Sequence, residues 1–485
     1  MNDANVLTQL PKVAPPIIES FRLDGVNGYK TIAVRFEHNV KIISAENGAG
    51  KTTLLNALHA LLTGNAERLR KINFKSLAIK FAGQDQICTK KEELFPFSIH
   101  DVLNANGHDL IEMLVDFGIS RYAASIMFEL HASLQEKDFL SSDGFVRLSE
   151  IGLARHEIEA LCIRWQTRAV NGFGAGVVRS HWEKAKIAFD QLCDTLRSAL
   201  SGVSILYLPT FRRIETELPE YQEVHREGRM QGSDEWDENR LIFFGLQDVT
   251  RKLKVFTDDI QKGTSAAYAR ISGRTLDQFL NVAAPNTEIS LNESDIDMLR
   301  AVLARLGKSD SEAESSMFDL IRTGTINEPK HQSLRSFLQQ LLEVYQEKRQ
   351  QELAVESFVN VVDSYWNHAG SEKRFLFDKE KVEVQVIDTY TKKPLPLSTL
   401  SSGEKQIVSI FARLYLNDSE RYLILIDEPE LSLSMEWQQK FLPDVFAAPS
   451  CAQLIAITHS PFTFDNDLDP YAGSMEISYA PKVEQ

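Results

Sequence analysis

Three short segments and one histidine carry the chemistry legible in this 485-residue chain. The segment Ala45-Glu46-Asn47-Gly48-Ala49-Gly50-Lys51-Thr52-Thr53 lies between a β-prone run and an amphipathic helix. Nucleotide phosphates need many backbone N–H donors at close range, and bulky side chains would block them. Gly48 and Gly50 give that access and allow positive φ. The helix that follows points its N-terminus at the anion. Lys51 can neutralise the β- and γ-phosphates, and the Thr52 hydroxyl can face Mg²⁺. Asn47, Ala49 and Thr53 complete the cradle. The first glycine of the general pattern is Ala45 here, a small departure.

The second segment is Tyr422-Leu423-Ile424-Leu425-Ile426-Asp427-Glu428-Pro429. Its apolar run suits the middle of a parallel sheet. Asp427 at the strand end can hold Mg²⁺ through water. Glu428 beside it is placed to act as general base on the attacking water. His459 follows another apolar strand, Leu454 to Ile457, between Thr458 and Ser460. A histidine there can hydrogen-bond a γ-phosphate and sense its loss. The third segment is Leu400-Ser401-Ser402-Gly403-Glu404-Lys405-Gln406. Small residues opening a helix make an anion site. A serine N-cap accounts for Ser401 or Ser402 taken singly. Since Lys51 already marks one such site, the economical reading is that Ser401, Ser402 and Gly403 complete the nucleotide pocket of a second copy.

The elements that must position these residues are readable in outline. Ile17 to Ile43 reads as strands, with a turn at Gly25, Asn27 and Gly28. A helix over 52–63 keeps Leu54, Leu55, Leu58, Leu61 and Leu62 on helical spacing and stops at Gly64. Leu77 to Lys90 reads as a hairpin turning at Gly83. Residues 100–200 read as mostly helical, Ser204 to Leu208 as a short buried strand, and Ser333 to Val362 as a long helix. Two polar stretches, Glu227 to Asn239 and Gly307 to Ser316, read as mobile. The alternation over Phe375 to Ile387 is expected to return the chain to the sheet. The whole is expected to be one α/β head over 1–100 and 376–485. A mainly helical insertion occupies 101–375, from which strand 204–208 returns to the head.

Composition narrows the function classes. Apolar content of 43% and charged content of 25% are those of a water-soluble globular protein. No run is long enough to span a bilayer, and no basic-then-apolar leader opens the sequence. A cytoplasmic location is therefore expected. Cys88, Cys162, Cys193 and Cys451 are scattered without metal-ligand spacing and read as reduced thiols. The net charge of −15 argues against a surface that coats DNA uniformly. A local basic stripe is still compatible with nucleic acid. Arg68, Arg70, Lys71, Lys75 and Lys80 are its candidates, although a solvated helix and turn is the simpler reading.

At these residues the chain resembles the ABC-type ATPase heads of the SMC and RecF group. "ENGAGKTT", "LSSGEKQ", "LILIDEPE" and "ITHSPF" are similar to that group's Walker A, signature, Walker B and switch-histidine motifs. The resemblance covers roughly the first 90 and last 110 residues. It implies ATP and Mg²⁺ as ligands, and a P-loop head with a mixed central sheet, flanking helices and an antiparallel β subdomain. It also implies a homodimer or higher homo-oligomer in which two heads sandwich two ATP molecules. A glutamine loop is expected after the first hairpin. Gln84 and Gln86 are candidates, with Pro209 to Arg213 the preferred equivalent. After Walker B, "ELSLSMEWQ" resembles the ATPase subunit of Septu antiphage systems rather than the histidine-rich "ELHLHP" of related defence ATPases. That resemblance implies a separate HNH-type nuclease partner and, in retron-encoded versions, a reverse transcriptase or its DNA product. With the chain ending at Gln485 and no HNH or H-E-x-x-H pattern, no toprim or other nuclease is expected within it. The alternatives are a RecF-type repair ATPase acting directly on DNA and a nucleotide-gated scaffold with little turnover. A transporter ATPase fits least, because the interval between Lys51 and Ser401 is too long.

Overall fold

The computed structural model describes residues 13–46, 48–95, 114–115, 117–132, 136–166, 175–209, 246–280, 291–292, 295–306, 312–368, 372–417 and 420–480. The chain forms two compact units. The first comprises Met1–Asn239, Tyr422–Pro429 and Ala452–Gln485, and the second comprises Arg240–Arg421 and Glu430–Cys451.

Two five-stranded sheets build the first unit. Strands β1 (Ile18–Val26), β2 (Lys30–Arg35), β4 (Ser76–Phe81), β5 (Ile87–Lys90) and β13 (Glu476–Tyr479) form an antiparallel sheet in the order β13-β2-β1-β4-β5. Alternation sets its register: Phe21 opposes Val34 on one side and Ile79 on the other, and all three are buried. The second sheet has the order β12-β3-β11-β10-β6 and uses β3 (Val40–Ser44), β6 (Val203–Leu208), β10 (Arg421–Asp427), β11 (Cys451–Thr458) and β12 (Ala472–Gly473). Its strands β3, β11 and β12 run parallel. Tyr422 to Ile426 and Leu454 to Ile457 are buried throughout, as both faces of an inner parallel strand require. Side-chain amides join the two sheets. Gln453 on β11 is fully buried and accepts from the backbone of Ile17 and Ile18, both at 2.9 Å.

Helix α1 (Lys51–Leu62) and α2 (Ala66–Lys71) follow β3. Among the described residues, the remaining helices of this unit are the short α3 (Lys91–Leu94), α4 (Arg121–Ala132), α5 (Glu136–Ser141), α6 (Asp143–Glu150), α7 (Arg155–Gln166) and α8 (Ala175–Ala199). Met127, Phe128, Leu148, Ile158 and Leu161 knit α4, α6 and α7 into a satellite core. The basic candidates over 68–80 are mostly engaged. Lys71 pairs with Glu67 at 2.8 Å, Lys80 pairs with Glu19 at 2.7 Å, and Arg70 stacks on Phe95 and Phe117.

The second unit holds α9 (Leu246–Leu280), α10 (Ile296–Arg305), α11 (Glu312–Arg322), α12 (Gln332–His368), α13 (Ser402–Tyr415) and α14 (Met435–Ala447). Its core runs through Leu299, Val302, Ile321, Leu338 and Leu341. One expectation fails here. The alternating stretch at Phe375 does not rejoin the five-stranded sheets. Strands β7 (Lys373–Asp378), β8 (Glu383–Asp388) and β9 (Pro394–Leu395) form a separate antiparallel sheet. Phe375 packs edge-on against Phe358 and Trp366 of α12, and this local burial outcompetes sheet extension. Of the polar stretch from Gly307 to Ser316, residues 307–311 lie outside the described residues, and Glu312 onward opens α11, whose Phe318 and Ile321 are buried. Glu227 to Asn239 and Thr210 to Arg213 lie outside the described residues, so the preferred glutamine-loop equivalent is described only at Pro209. Gln84 and Gln86 lie on the turn between β4 and β5.

All four cysteines are free thiols. Burial pushes Cys162 and Cys451 up to about 12. Among the described residues, no helix is long and apolar enough to cross a membrane.

Candidate functional site

The site begins where β3, β10 and β11 end. Strand β3 delivers the phosphate loop, and its register with β11 pairs Ser44 with Thr458. Asp427 closes β10, which neighbours β11. Ligands of open α/β sheets bind outside such carboxyl ends. The loop then turns through Gly48 (φ 77°) and Gly50 (φ 97°), the N-cap of α1. A Cβ on Gly50 would lie 2.5 Å from Ile32 Cδ1, so a side chain there would displace the end of that isoleucine on β2, and the positive φ itself favours glycine. Asn47 lies outside the described residues.

Lys51 is 4% exposed. Its Nζ donates to the carbonyl of Ala45 and lies 2.9 Å from His459 Nδ1. An ammonium only donates, so Nδ1 accepts, and the proton of the neutral ring sits on Nε2. That nitrogen lies 3.7 Å from Glu428 Oε1. Thr52 Oγ1 reaches Asp427 Oδ1 at 3.5 Å, and Asp427 is 3% exposed. Lys51, His459 and Glu428 therefore form one run of close approaches and Thr52 and Asp427 a second, the two joined within the first unit by the peptide bonds Lys51–Thr52 and Asp427–Glu428. Thr53 stands half-buried on the first turn of α1.

Backbone geometry aims Glu428. Its φ of 52° is left-handed, a conformation a non-glycine residue adopts at some cost. Its N–H donates to Ile457 O at 2.8 Å, which ties the turn to β11. The turn carrying His459 is pinned from the other side. Ser460 N donates to Thr458 Oγ1 at 3.0 Å, and Thr463 Oγ1 lies 2.7 Å from Ser460 O.

Ser401, Ser402 and Gly403 belong to the second unit, where they open α13. Ser401 is the N-cap of a capping box. Glu404 N donates to its Oγ at 3.3 Å, and Glu404 Oε2 accepts from Ser401 N at 2.6 Å. Ser402 is exposed. Gly403 is buried, and a Cβ there would meet the carbonyl oxygen of Ser432 at 2.6 Å. The turn after β10 thus lies directly on α13, at Ser432 with its own φ of 70°. In the same turn Ser434 caps α14, and Gln438 Nε2 donates to Leu433 O at 3.0 Å.

Sequence reasoning missed Lys30 and Thr463. Lys30 is 6% exposed on β2, and its Nζ donates to Gly48 O at 3.2 Å and to Ala49 O. Burial lowers its pKa from the ordinary lysine value. A signal was present: Lys30 shares the inward phase of β2 with Ile32 and Val34, where alternation calls for an apolar residue. Thr463, after the histidine turn, gave no such sign.

The oxygen donors of Thr52 and Asp427 converge as a hard cation requires, and this donor set fits Mg²⁺. Fold and loop together are those of an AAA-type nucleotide-binding domain. The family described as "AAA domain, putative AbiEii toxin, Type IV TA system" matches residues 207–465, more than half of the chain. The chain belongs to this family. The matched span holds the signature, Asp427, Glu428 and His459, and begins after the phosphate loop. Similar solved structures include two Smc heads. One is the Smc head domain with an extended coiled coil bound to the C-terminal domain of ScpA, derived from Pyrococcus furiosus. It is 13% identical, with a TM-score of 0.33, and 96% of each chain is covered. The other is the SmcHead bound to the C-winged helix domain of ScpA. It is 12% identical with a TM-score of 0.33, covering 97% of this chain and 98% of that one. No curated protein matches.

Proposed function

We propose that the first unit binds ATP and hydrolyses it. The observation that carries this reading is the chain of approaches from Thr52 through Asp427, and from Lys51 through His459 to Glu428. In it, backbone N–H groups of Gly48 and residues 50–53 hold the phosphates, and Lys51 leaves Ala45 and His459 to neutralise them. Thr52 and Asp427 would hold Mg²⁺, which would supply charge neutralisation. Glu428 orients a water and takes its proton, and His459 Nε2–H offers a donor to the terminal phosphoryl oxygens.

Two copies share their sites in this proposal. The exposed Ser402 at the start of α13 donates to nucleotide held by the other copy. At the next level, the protein is the regulatory subunit of an antiphage system. Its nucleotide state controls a separate nuclease of HNH type, with retron-derived DNA or a reverse transcriptase as a further partner. The "ELSLSMEWQ" segment supports this level, although Ser434 and Gln438 also have the structural tasks described above. Purification with the neighbouring gene products, followed by nuclease assay, tests it. The nuclease should co-purify, and its output should change between wild type and Glu428→Gln. Metal-dependent cleavage by the isolated chain would count against a separate nuclease.

A further inference from the structure

Lys30 has no place in the chemistry above, yet it ends beneath the phosphate loop. Strand β2 forms the floor of that loop, with Ile32 Cδ1 only 2.5 Å, and Lys30 Nζ 3.4 Å, from where a Gly50 Cβ would stand. A buried lysine usually extends its stem along apolar surface and its ammonium to water. Here the ammonium instead donates to two consecutive loop carbonyls, Gly48 O at 3.2 Å and Ala49 O. The ring of Tyr479 on β13 lies 5.9 Å from the same Nζ.

We propose that Lys30 is a positioning residue that pre-orients the phosphate loop for nucleotide. This rests on the reading that residues 45–53 bind nucleotide phosphates. In a trans peptide, C=O and N–H point to opposite sides. Holding the Ala49 carbonyl down on Lys30 therefore turns the Gly50 N–H away from Lys30, so that it can serve as an anion donor. The Gly48 carbonyl is held down in the same way, while the Ala49 N–H on that peptide closes the turn onto Glu46 O at 3.3 Å. Gly50, at φ 97° and without a Cβ, sets a low steric barrier to turning that peptide, which the tie to Lys30 opposes. Lys30 also places a positive charge behind a loop that must receive a polyanion. Lys51 and Lys30 divide the work: one meets the phosphates, and the other holds the backbone that does.

The test measures the affinity of the full-length protein for MgADP by calorimetry, with the melting temperature of the free protein taken in parallel. The proteins compared are wild type, Lys30→Met, Lys30→Gln and Lys51→Ala. Lys30→Met should raise Kd on the order of tenfold or more, the value of a charge-assisted hydrogen bond. Lys30→Gln, which keeps an N–H donor without charge, should fall between wild type and Lys30→Met. If Lys30→Met does not fold, Lys30→Gln carries the test alone with a several-fold loss. Wild-type Kd in both Lys30 variants, beside a loss in Lys51→Ala, overturns the role of Lys30 and leaves the loop reading intact. A fall in melting temperature with unchanged Kd overturns it too, since that lysine would be merely structural. If wild-type protein binds no MgADP, the loop reading itself fails, and this inference fails with it.

Discussion

At the scale of single residues, Glu428 shows a conflict between stability and chemistry. Its left-handed φ of 52° costs about 1–2 kcal/mol for a side chain with a Cβ. Strain of this kind persists where the surrounding structure over-determines it, and here the bond from its N–H to Ile457 O does so. Glu428→Gly should therefore raise the unfolding free energy, by about 0.5–1 kcal/mol after the glycine's greater unfolded entropy is discounted. It should also abolish turnover. Chemical denaturation reads the first effect, and a destabilised variant would show that the turn is unstrained. His59 on α1 offers a second case. It stacks on Tyr207 of β6 at 4.6 Å, and burial, with help from Arg68, lowers its pKa to about 4. The unfolded state then binds the proton more readily. The contribution is present above pH 6.5 and is lost as pH falls towards 4, by up to roughly 3 kcal/mol. His59→Gln should lose less stability than wild type between pH 7 and pH 4.5, and parallel losses would contradict the assignment.

Elements meet through contacts that admit few alternatives. Gly403 lets the turn after β10 lie on α13, with the Ser432 carbonyl where a Cβ would stand. Gly403→Ala should cost about 1–3 kcal/mol through displaced backbone, whatever its effect on nucleotide. In the second unit, Arg305 of α10 and Glu352 of α12 form an ion pair at 2.6 Å, with side chains 1% and 0% exposed. Removing Arg305 leaves the buried Glu352 carboxylate with Arg349 at 3.9 Å, so Arg305→Met should cost about 3 kcal/mol. The double variant Arg305→Met/Glu352→Leu should recover most of that loss; additive losses in a double-mutant cycle would refute the coupling. At this scale the sequence was readable where a pattern was local. The strands over 17–43, the helix after Lys51 and the apolar strand before Asp427 all follow from periodicity and turn residues. The separate β7–β8–β9 sheet was not readable, because its attachment depends on Phe375 meeting Phe358 and Trp366, a tertiary contact that alternation cannot announce. In the site, Lys51, Thr52, Asp427, Glu428 and His459 declared themselves by type and spacing. Lys30 was hidden as an out-of-pattern residue in an otherwise ordinary strand.

For the whole molecule, the shared-site proposal makes a complementation prediction. Ser402→Arg puts bulk and charge where a partner's γ-phosphate would sit, and Lys51→Ala disables the phosphate loop. Neither homodimer should turn over. In the mixed dimer both defects fall on one site and the other site is intact, so mixing should restore part of the activity. Proven mixed dimers with no activity would count against shared sites. The central claim, that the cluster at the ends of β3, β10 and β11 is an ATPase centre, rests on a single comparison. MgATP binding and phosphate release should be measured on the same preparations of wild type and Glu428→Gln. The account predicts comparable binding in both, and turnover in the variant lower on the order of 10²–10⁴-fold. Equal turnover by the two proteins would contradict it.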